Sequence, residues 1–593
     1  MHSLTIIAAA AVAWAVPSPK TAQHPAAVEA PVSDPRTYPD EAGFAKRAKL
    51  IIDGLKDEDL SKWRRGYFAG GDPGKYLPGA AMAKLIVDPD AADVRKYMND
   101  GRSYKESYHF AVVNWGRFLP LFGSVLTDET QKKLADHHGR SNRYFNQGGT
   151  ENHKIMWLAA AAVLPHYVVG DRFSGLSKEK AITQARDHLR TYVKGLYAAG
   201  QGEWDSSTYL MFDLHGMLNI YDFSKDEDTR LIAKAALDWY VAAYALKYRD
   251  GVFSAPNQRG FPKGVVKTIG DQTGWLWWGL QGGYELTEAR GFRYAMHAVT
   301  SSWRPGKVLC NIAQKKLPGL PVEQRNTKPN YWYGLRQQPR AGVYHETVYI
   351  APKFTVGTLW NGHGSQMTRF TVAVESERGA VVFTGGNPRK SDHRGKKTGI
   401  GFADGNCRYT QFAAVGPTVM SLSRCPEEDA DAAYSFFTLP KGVEPKEHNG
   451  WQIMTVGDTT VAVYPIGGKP EVTEVVGRKN RKTRMLKIPG HETGFVVHVG
   501  KLADLAGMKV GKDSVTDASG KVLKMSFNPA TDNDAHANRV ADVTIDGKKV
   551  DVSTWPIYSG PFVTQRDGVL TVSDGKDSFT VDFTGDLPVY RSK

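Results

Sequence analysis

The chain has 593 residues, which is too many for a single hydrophobic core and predicts about three to four domains. The hydrophobic content of 41% and the charged content of 23% are ordinary for a soluble globular protein. Lys and Arg number 76 against 62 acidic residues, and the net charge of +14 favours an anionic polymer as partner, either nucleic acid or acidic polysaccharide. The densest basic stretch, Gly477 to Arg484, is typical of a solvated loop rather than of a nucleic-acid-binding tail.

The N-terminus is apolar from Leu4 to Val16 and contains small residues at alternate positions around Ala13. This stretch is too short to cross a membrane and is typical of a secretory signal, although no Lys or Arg precedes it. We therefore predict that residues 1–30 are a signal peptide and an unstructured lead-in, and that the protein is secreted or periplasmic.

The cysteines Cys310, Cys407 and Cys425 follow no CxxC or zinc spacing, so the sequence predicts no disulfide framework. The spacing of Cys407 and Cys425 is only weak evidence for a pair. His137 and His138 are candidate ligands for a divalent metal, but no spacing identifies a site. We expect no required cofactor.

Helical periodicity extends from about Glu41 to about Ser302, and we predict residues 31–304 to be the α/α-toroid catalytic domain. Apolar residues recur every three or four positions in Asp228–Lys247 and in Lys178–Gly200, and the second segment ends in glycine, as helices often do. A series of helical hairpins without intervening strands predicts a bundle, a solenoid or an α/α toroid.

The residue composition changes after this helical region. Pro, Asn and Gln become frequent over residues 305–342, which we predict to be a linker. From 343 to 593 the chain alternates in short runs rich in Val, Thr and aromatic residues, bounded by Gly, Asp or Asn. Val572–Phe579 is a hairpin pattern. The second half is therefore predicted to be a large antiparallel β-sandwich.

One predicted helix starts with an adjacent amide and imidazole. In TENHKIMW, Thr150 is suited to cap the helix and Glu151 to its first turn, which places Asn152 and His153 at the helix N-terminus. The positive end of the helix disfavours a charged imidazolium, so His153 is expected to be neutral. Capping and surface hydrogen bonds alone would also explain this pair.

A second polar helix start follows in GEWDSSTYLMFDLHGML. Ser206 or Ser207 is expected to cap this helix and Tyr209 to lie in its first turn, on the same face as Phe212. Tyr209 is either a core aromatic residue with a hydrated hydroxyl or a partner of His153.

Asn, His and Tyr together suit the removal of the weakly acidic C5 proton of a uronic acid. A neighbouring amide, protonated carboxyl or guanidinium must first stabilise the charge on the sugar carboxylate. A base then takes the proton and an acid protonates the leaving oxygen at C4, and each positioned transfer contributes roughly 10²–10⁴-fold.

The Asn-His helix start, the Gly-x-x-x-Ser-x-x-Tyr motif from Gly202 to Tyr209 and the order of an all-α and an all-β half resemble the α/α-toroid polysaccharide lyases. This group includes alginate lyases, heparinase II/III-like enzymes and chondroitin or hyaluronate lyases. The resemblance implies β-elimination of a uronic-acid polymer, with a 4,5-unsaturated uronate as product. It implies that Asn152 neutralises the substrate carboxylate, that His153 is or assists the base, and that Tyr209 is the acid and, in a syn elimination, also the base.

The sequence departs from this group at two points. Some members carry an Arg shortly before the Tyr, where this chain has Asp205 to Thr208, so Arg143 or Arg259 is the expected replacement. Heparinase-like members also contribute a His from the β half, for which His345 is the first candidate and His363 and His393 follow.

Further residues are predicted to contact the glycan. Sugar rings stack on aromatic faces, although Trp at helical spacing is more often a core residue. The predicted substrate-binding residues are Arg143, Glu151, Trp204, Arg259, Trp275 and Tyr344, with Trp277, Trp278, Lys263, Lys267 and Arg340 as further candidates.

Two alternatives stay open at this point. A glycoside hydrolase on an α/α barrel needs two carboxylates flanking the bond, and Glu151, Glu203, Asp205 and Asp213 are available. A non-catalytic glycan-binding protein of the cell envelope is the other. Nucleic acid is the least favoured partner, because the sequence contains no recognition module. The identity of the uronic-acid polymer and the oligomeric state are left open.

Overall fold

The computed structural model describes residues 37–61, 73–100, 108–146, 148–254, 256–259, 271–281, 285–330, 339–361, 367–388, 409–477, 481–528 and 540–592. The predicted signal peptide, Cys407, Lys263, Lys267, His363 and His393 lie outside these residues. None of the helices within these ranges is long and apolar enough to cross a membrane.

The first half of the chain is helical. Its α-helices are α1 (Glu41–Leu55), α2 (Pro73–Val87), α3 (Ala92–Asn99), α4 (His109–Phe122), α5 (Asp128–Arg140), α6 (Arg143–Asn146), α7 (Glu151–Val163), α8 (Lys178–Ala199), α9 (Leu210–Phe223), α10 (Glu227–Lys247), α11 (Gln272–Trp278), α12 (Met296–Val299) and α13 (Lys307–Ala313).

Helices buried almost all round alternate with helices that keep a polar face. Helices α2, α4, α7 and α9 are buried in this way, and each packs against the next in that order. Helix α10 is also largely buried. Between α4, α7 and α9 the chain forms α5 and α8, which bury one stripe and expose the opposite face. This alternation of inner and outer helices is the incomplete α/α toroid that the sequence predicts.

Small residues allow the inner helices to approach closely. A methyl group added at Gly216 of α9 would lie 3.0 Å from Ala159 Cβ and 3.2 Å from Ile155 Cγ2 of α7. The alanine run of α7 therefore serves helix packing, and it fixes the separation of the two helices whose first residues carry the predicted chemistry.

The second half is antiparallel β-structure. The strands, including two short hairpins in the helical half, are β1 (Arg172–Phe173), β2 (Leu176–Ser177), β3 (Tyr248–Arg249), β4 (Val252–Phe253), β5 (Val322–Lys328), β6 (Tyr344–Ile350), β7 (Phe354–Leu359), β8 (Phe370–Val374), β9 (Val381–Phe383), β10 (Gly385–Gly386), β11 (Thr410–Val415), β12 (Thr418–Arg424), β13 (Tyr434–Thr438), β14 (Lys446–His448), β15 (Trp451–Val456), β16 (Thr459–Ile466), β17 (Glu471–Gly477), β18 (Arg481–Pro489), β19 (Glu492–Gly500), β20 (Lys509–Val510), β21 (Ser514–Thr516), β22 (Val522–Ser526), β23 (Asp542–Ile545), β24 (Lys548–Lys549), β25 (Tyr558–Ser559), β26 (Val563–Arg566), β27 (Val569–Ser573), β28 (Ser578–Asp582) and β29 (Val589–Ser592).

These strands form stacked sheets. A ten-stranded sheet has the order β29-β28-β27-β26-β25-β5-β6-β7-β8-β9, and a six-stranded sheet has the order β11-β12-β19-β16-β15-β14. Apolar side chains of β7 to β9 pack against those of the six-stranded sheet and form the sandwich core. The five-stranded sheet β20 to β24 covers the other face of the six-stranded sheet.

The ten-stranded sheet also closes the helical half. Val348 and Ile350 of β6 and several residues of β25 to β28 belong to the same hydrophobic core as the helices. Gln565 accepts a hydrogen bond from Trp239 Nε1 at 2.7 Å and donates one to the Tyr197 carbonyl at 2.7 Å. One core therefore crosses the boundary between the two halves.

The predicted linker 305–342 contains regular structure. It includes α13 and β5, and β5 pairs with β6 and β25 inside the ten-stranded sheet. The β half therefore begins at Val322 rather than at residue 343. Strand β5 has few apolar residues because its buried side chains are polar, and Gln324, Asn326 and Lys328 donate hydrogen bonds to other elements.

Candidate active site

The first turns of the inner helices lie at one end of the toroid. Lys75 lies at the start of α2, His109 begins α4, His153 lies in the first turn of α7, and Tyr209 is the N-cap residue of α9. Helix N-termini carry partial positive charge, so this end of the toroid favours an anion.

Asn152 is fully buried beneath this end. Its backbone N–H donates to Glu203 Oε2 at 2.9 Å, and its side-chain Nδ2 donates to the same oxygen and to Thr150 Oγ1, the latter at 2.9 Å. Thr150 caps α7 through its backbone only, since its hydroxyl accepts from Asn152 instead. Both hydrogens of the amide are thus used inside the protein, and Asn152 acts in this structure as an anchor for Glu203.

Glu203 connects Asn152 to Arg259. Arg259 Nε lies 3.0 Å from Glu203 Oε1, and the guanidinium carbon lies 4.9 Å from the centre of the Tyr209 ring. The side chain of Arg259 is 20% exposed. Of the two arginines predicted to replace the missing one, Arg259 is therefore the one next to Tyr209.

The backbone of Arg259 is held in an unusual conformation. Its φ of 60° lies in the left-handed region that residues other than glycine rarely adopt. Ser206 Oγ donates to the Arg259 carbonyl at 3.2 Å and accepts from the backbone N–H of Tyr209 at 3.0 Å. Ser206 thus holds Arg259 and Tyr209 together one turn before α9 begins at Leu210.

A group of buried carboxyls lies behind Asn152, and we call Glu151, Glu203 and Asp213 the acid cluster. Glu151 accepts from Tyr192 Oη at 2.7 Å and from the backbone N–H groups of Gly202 and Glu203. Burial, followed by the nearby charge of Glu203, raises the pKa of Glu151 to about 8. Burial and the charges of Glu151 and Glu203 likewise raise the pKa of Asp213 well above its usual range.

His153 lies half-buried among cations. Burial, followed by the positive charges of Arg259 and Lys75, lowers the pKa of His153 to about 4. This pKa keeps the imidazole neutral at physiological pH, and its causes are burial and two cations from other elements. Phe110 contacts the edge of the ring, with 6.4 Å between ring centres.

Two residues of this site were missed in the sequence. The ring of His109 stacks on that of His153, with 3.7 Å between centres and 21° between planes. Lys75 Nζ lies 4.1 Å from the centre of the Phe110 ring and 5.0 Å from that of Phe212. The available signal for His109 was the one used for His153, a histidine at the start of a fully buried helix.

The predicted glycan-stacking residues are mostly internal. Trp204 and Tyr344 are buried and contact each other across the boundary of the two halves, with 5.6 Å between ring centres. Trp275 lies in the helical core, edge-on to Phe292. Glu151 is fully buried as well. These four residues are accordingly packing and supporting residues here, because none offers an exposed face to a sugar ring.

His345 is not brought to His153 and Tyr209. Side chains alternate along a strand, and Tyr344, Glu346 and Val348 of β6 face the helices. His345 faces the opposite way, where it contacts Trp555 at 6.0 Å between ring centres and where Asn361 Oδ1 accepts from its backbone N–H at 2.8 Å. Burial lowers its pKa.

The other predicted residues lie elsewhere. Arg143 is exposed on α6, where its charge helps to lower the pKa of His137, a shift caused mainly by burial. His138 is buried and hydrogen-bonded to Tyr144. Within the described residues, no three His, Cys, Asp or Glu side chains are arranged to hold a metal ion.

The sequence matches no family model and no curated protein. Among solved structures it is similar to a chondroitinase AC lyase, at 9% identity and a TM-score of 0.41, over 92% of this chain and 98% of that chain. It is also similar to a heparinase III, at 11% identity and a TM-score of 0.34, over 88% and 92% of the two chains. A third is the heparan sulfate lyase HepC from Pedobacter heparinus, at 10% identity and a TM-score of 0.31, over 87% and 84%.

Proposed function

We propose that this protein is a polysaccharide lyase that cleaves a uronic-acid-containing anionic polysaccharide by β-elimination. The product carries a 4,5-unsaturated uronate at its new non-reducing end. The observation that supports this proposal best is the convergence of a neutral histidine, a tyrosine and two cations. His153, Tyr209 and Lys75 come from the starts of three neighbouring helices, and Arg259 comes from the loop before α11. The predicted signal segment supports a secreted or periplasmic location.

Arg259 is the proposed partner of the substrate carboxylate. Its guanidinium is partly exposed, and Glu203 and the Ser206 contact hold it in position. Fixed positive charge beside the carboxylate stabilises the enolate-like state that forms when C5 loses its proton. Asn152, whose side-chain N–H groups are both donated inside the protein, contributes by anchoring Glu203.

The proton transfers are assigned to His153 and Tyr209. One of them takes the C5 proton, the C4–O bond breaks as the C4–C5 double bond forms, and Tyr209 protonates the leaving oxygen. His153 is the base for one C5 epimer, and Tyr209 serves both roles when the proton and the leaving oxygen are on the same face. For this second role the guanidinium of Arg259 lies close to the Tyr209 ring, 4.9 Å from its centre.

The geometry gives no support to the glycoside hydrolase alternative. Two carboxyl groups must face the glycosidic bond from opposite sides in such an enzyme. Glu151, Glu203, Asp205 and Asp213 are all buried, and each has hydrogen-bond partners inside the protein.

A panel of uronic-acid polymers tests the proposal. Purified protein is incubated with alginate, glucuronan, hyaluronan and sulfated glycosaminoglycans, and ultraviolet absorbance of the conjugated double bond is recorded. At least one polymer is expected to give unsaturated product. Tyr209→Phe, which removes only the proton-carrying hydroxyl, is expected to lower kcat by roughly 10²–10⁴-fold.

Tyr167→Phe is the matched control. The Tyr167 hydroxyl donates to the Phe223 carbonyl at 3.1 Å, at the opposite end of α9 from Tyr209. This variant is expected to keep wild-type turnover. New reducing ends without ultraviolet absorbance would indicate hydrolysis, and binding of a polymer without any cleavage would indicate a glycan-binding protein. Either result refutes the proposal.

A further inference from the structure

The histidine pair formed by His109 and His153 is the part of the site that the proposed reaction leaves unexplained. His109 is the first residue of α4, and its ring lies 3.7 Å from that of His153 between centres, close to parallel. Phe110 and Tyr108 flank the His109 ring at 4.4 and 5.6 Å. The His109 imidazole is thus itself held among aromatic neighbours.

Gly149 lies against the Nδ1 edge of the His153 ring. This glycine has a φ of +123°, a backbone conformation that side-chain-bearing residues rarely adopt. A Cβ at this position would lie 2.7 Å from His153 Nδ1. The imidazole therefore lies between the backbone of Gly149 at its Nδ1 edge and the ring of His109 on its face.

We propose that His109 is a positioning residue for His153: together with Gly149 it fixes the plane of the imidazole and leaves Nε2 as the nitrogen that meets a ligand. The catalytic consequence of this inference rests on the proposed function. The stacking contact between His109 and His153 is independent of that function. If the imidazole is held in one plane, the lone pair of Nε2 is oriented before substrate binds. A displacement of about 1 Å at a catalytic group can lower the rate about 10²-fold.

The electrostatic surroundings of His153 agree with this role. The charged or titratable groups that act on its ring are Lys75 from α2, His109 from α4 and Arg259 from the loop before α11. The positive charges of Lys75 and Arg259, together with burial, disfavour protonation of His153. Burial, then the charge of His153 and that of Lys75, lowers the pKa of His109 to about 3, so His109 stays a neutral stacking partner while His153 exchanges its proton.

Three variants separate positioning from a general structural role. His109→Ala removes the stacked ring, and kcat is expected to fall about 10- to 100-fold while KM changes less than about threefold. His109→Phe keeps a flat ring and is expected to recover at least about a third of wild-type kcat. His166→Ala removes a half-buried histidine just beyond the other end of α7 and is expected to retain wild-type kcat. Circular dichroism and melting temperatures verify that each variant is folded.

A second readout does not depend on activity. The titration of His153 is followed by NMR of histidine-labelled protein, and its signal is identified by its loss in His153→Asn. In His109→Ala, water reaches the ring, so His153 is expected to titrate at higher pH than in wild type, while His109→Phe stays close to wild type.

The outcomes distinguish the two proposals. If His109→Ala leaves both kcat and the His153 titration at wild-type values, the positioning role is refuted. A phenylalanine variant as impaired as the alanine variant would refute stacking as its cause. If no polymer yields unsaturated product but the titration shifts as expected, the lyase proposal fails and the contact between the two imidazoles stands.

Discussion

Two buried groups of charges border the same loop and differ in their balance. The acid cluster, Glu151, Glu203 and Asp213, contains carboxyls only and meets a cation at its rim, in Arg259. The interface network, by contrast, joins Asp205 and Glu346 to the buried ammonium groups of Lys247 and Lys328.

The interface network ties the helical half to the β half. Lys328 Nζ lies 2.6 Å from Asp205, and Lys247 Nζ lies 2.8 Å from Glu346. Glu346 also accepts a hydrogen bond from Asn326 Nδ2 at 2.9 Å and lies 3.6 Å from Lys328 Nζ. Although burial opposes ionisation, the two ammonium groups lower the pKa of Asp205. The network thus sets two carboxylates against two ammonium groups, so that its opposite charges are equal in number.

The acid cluster has no such balance, and two of its members, Glu151 and Asp213, have raised pKa values instead. The raised pKa values of Glu151 and Asp213 follow from burial and mutual repulsion. The comparison shows that the two groups of charges have different roles. The balanced interface network connects the helical half to the β half, whereas the unbalanced acid cluster contains Glu203, which orients Arg259. Glu203 and Asp205 lie two positions apart in one loop. Substitutions at these two residues therefore separate the role in orienting Arg259 from the role in connecting the two halves.

The largest effect on stability is expected from Asp205→Asn. Asparagine tolerates the left-handed backbone of this position, where φ is 53°, so only the charge is removed. Lys247 and Lys328 then share the single carboxylate of Glu346, and breaking a buried ion pair in this way costs about 3–5 kcal/mol. Chemical denaturation monitored by fluorescence measures the loss.

The combined variant Asp205→Asn with Lys328→Met is the control for this prediction. It removes one charge of each sign and leaves Lys247 with Glu346, so at least half of the lost stability is expected to return. Equal stability of wild type and Asp205→Asn would show that the network does not hold the two halves together.

Glu203→Gln is expected to act on turnover instead. The new amide keeps an oxygen for Asn152 but turns an N–H₂ group toward Arg259, so the guanidinium loses its partner. Misplacement of Arg259 is expected to lower kcat about 10- to 100-fold. Stability is expected to change by about 1 kcal/mol or less, because relief of repulsion among the carboxyls offsets the lost hydrogen bonds. A variant that loses stability but keeps kcat would reverse the roles assigned to the two groups.

Local patterns explain how much of this architecture was predictable. The helical half, the β half and the helix starts at His153 and Tyr209 follow from periodicity and from residue types next to one another in the chain. The sequence identified Arg259 only as one of two candidates, with Arg143, for the arginine expected near Tyr209. Its place beside Tyr209 depends on a loop whose path is set by the contact with Ser206.

The remainder depends on contacts between distant segments. Strand β5 escapes a hydrophobic pattern because Asn326 and Lys328 are buried as partners of the interface network. Lys75 and His109 join the site because inner helices far apart in sequence start at the same end of the toroid. Which face of the sheet carries His345 depends on the register of β6. A shift by one residue would turn His345 toward the helices and Glu346 away from them.

Glu151→Gln tests the proton content of the acid cluster. The folded-state pKa of Glu151 is raised from 4.5 to about 8, so its contribution to stability is complete below pH 4.5 and is lost as the pH rises through 8. Wild type is expected to lose more stability than the variant between about pH 5 and 8, by at most about 1.4 kcal/mol per pH unit. Denaturant midpoints at several pH values measure this slope. Glu179→Gln, at an exposed position of α8, is expected to keep the wild-type slope.

The smallest expected effect is a displacement between two pH profiles. The acid limb of kcat/KM reports His153 in the free enzyme, where Arg259 and Lys75 contribute to a pKa of about 4. A bound uronate carboxylate places negative charge beside these cations and raises the pKa of the imidazole, so the acid limb of kcat is expected at higher pH. Initial rates over a pH series, at low and at saturating polymer, measure both limbs. Arg259→Gln removes one of the cations and is expected to move the kcat/KM limb upward. Coincident limbs that do not respond to this variant would mean that His153 is not the titrating base, and the proton transfers would then rest on Tyr209 alone.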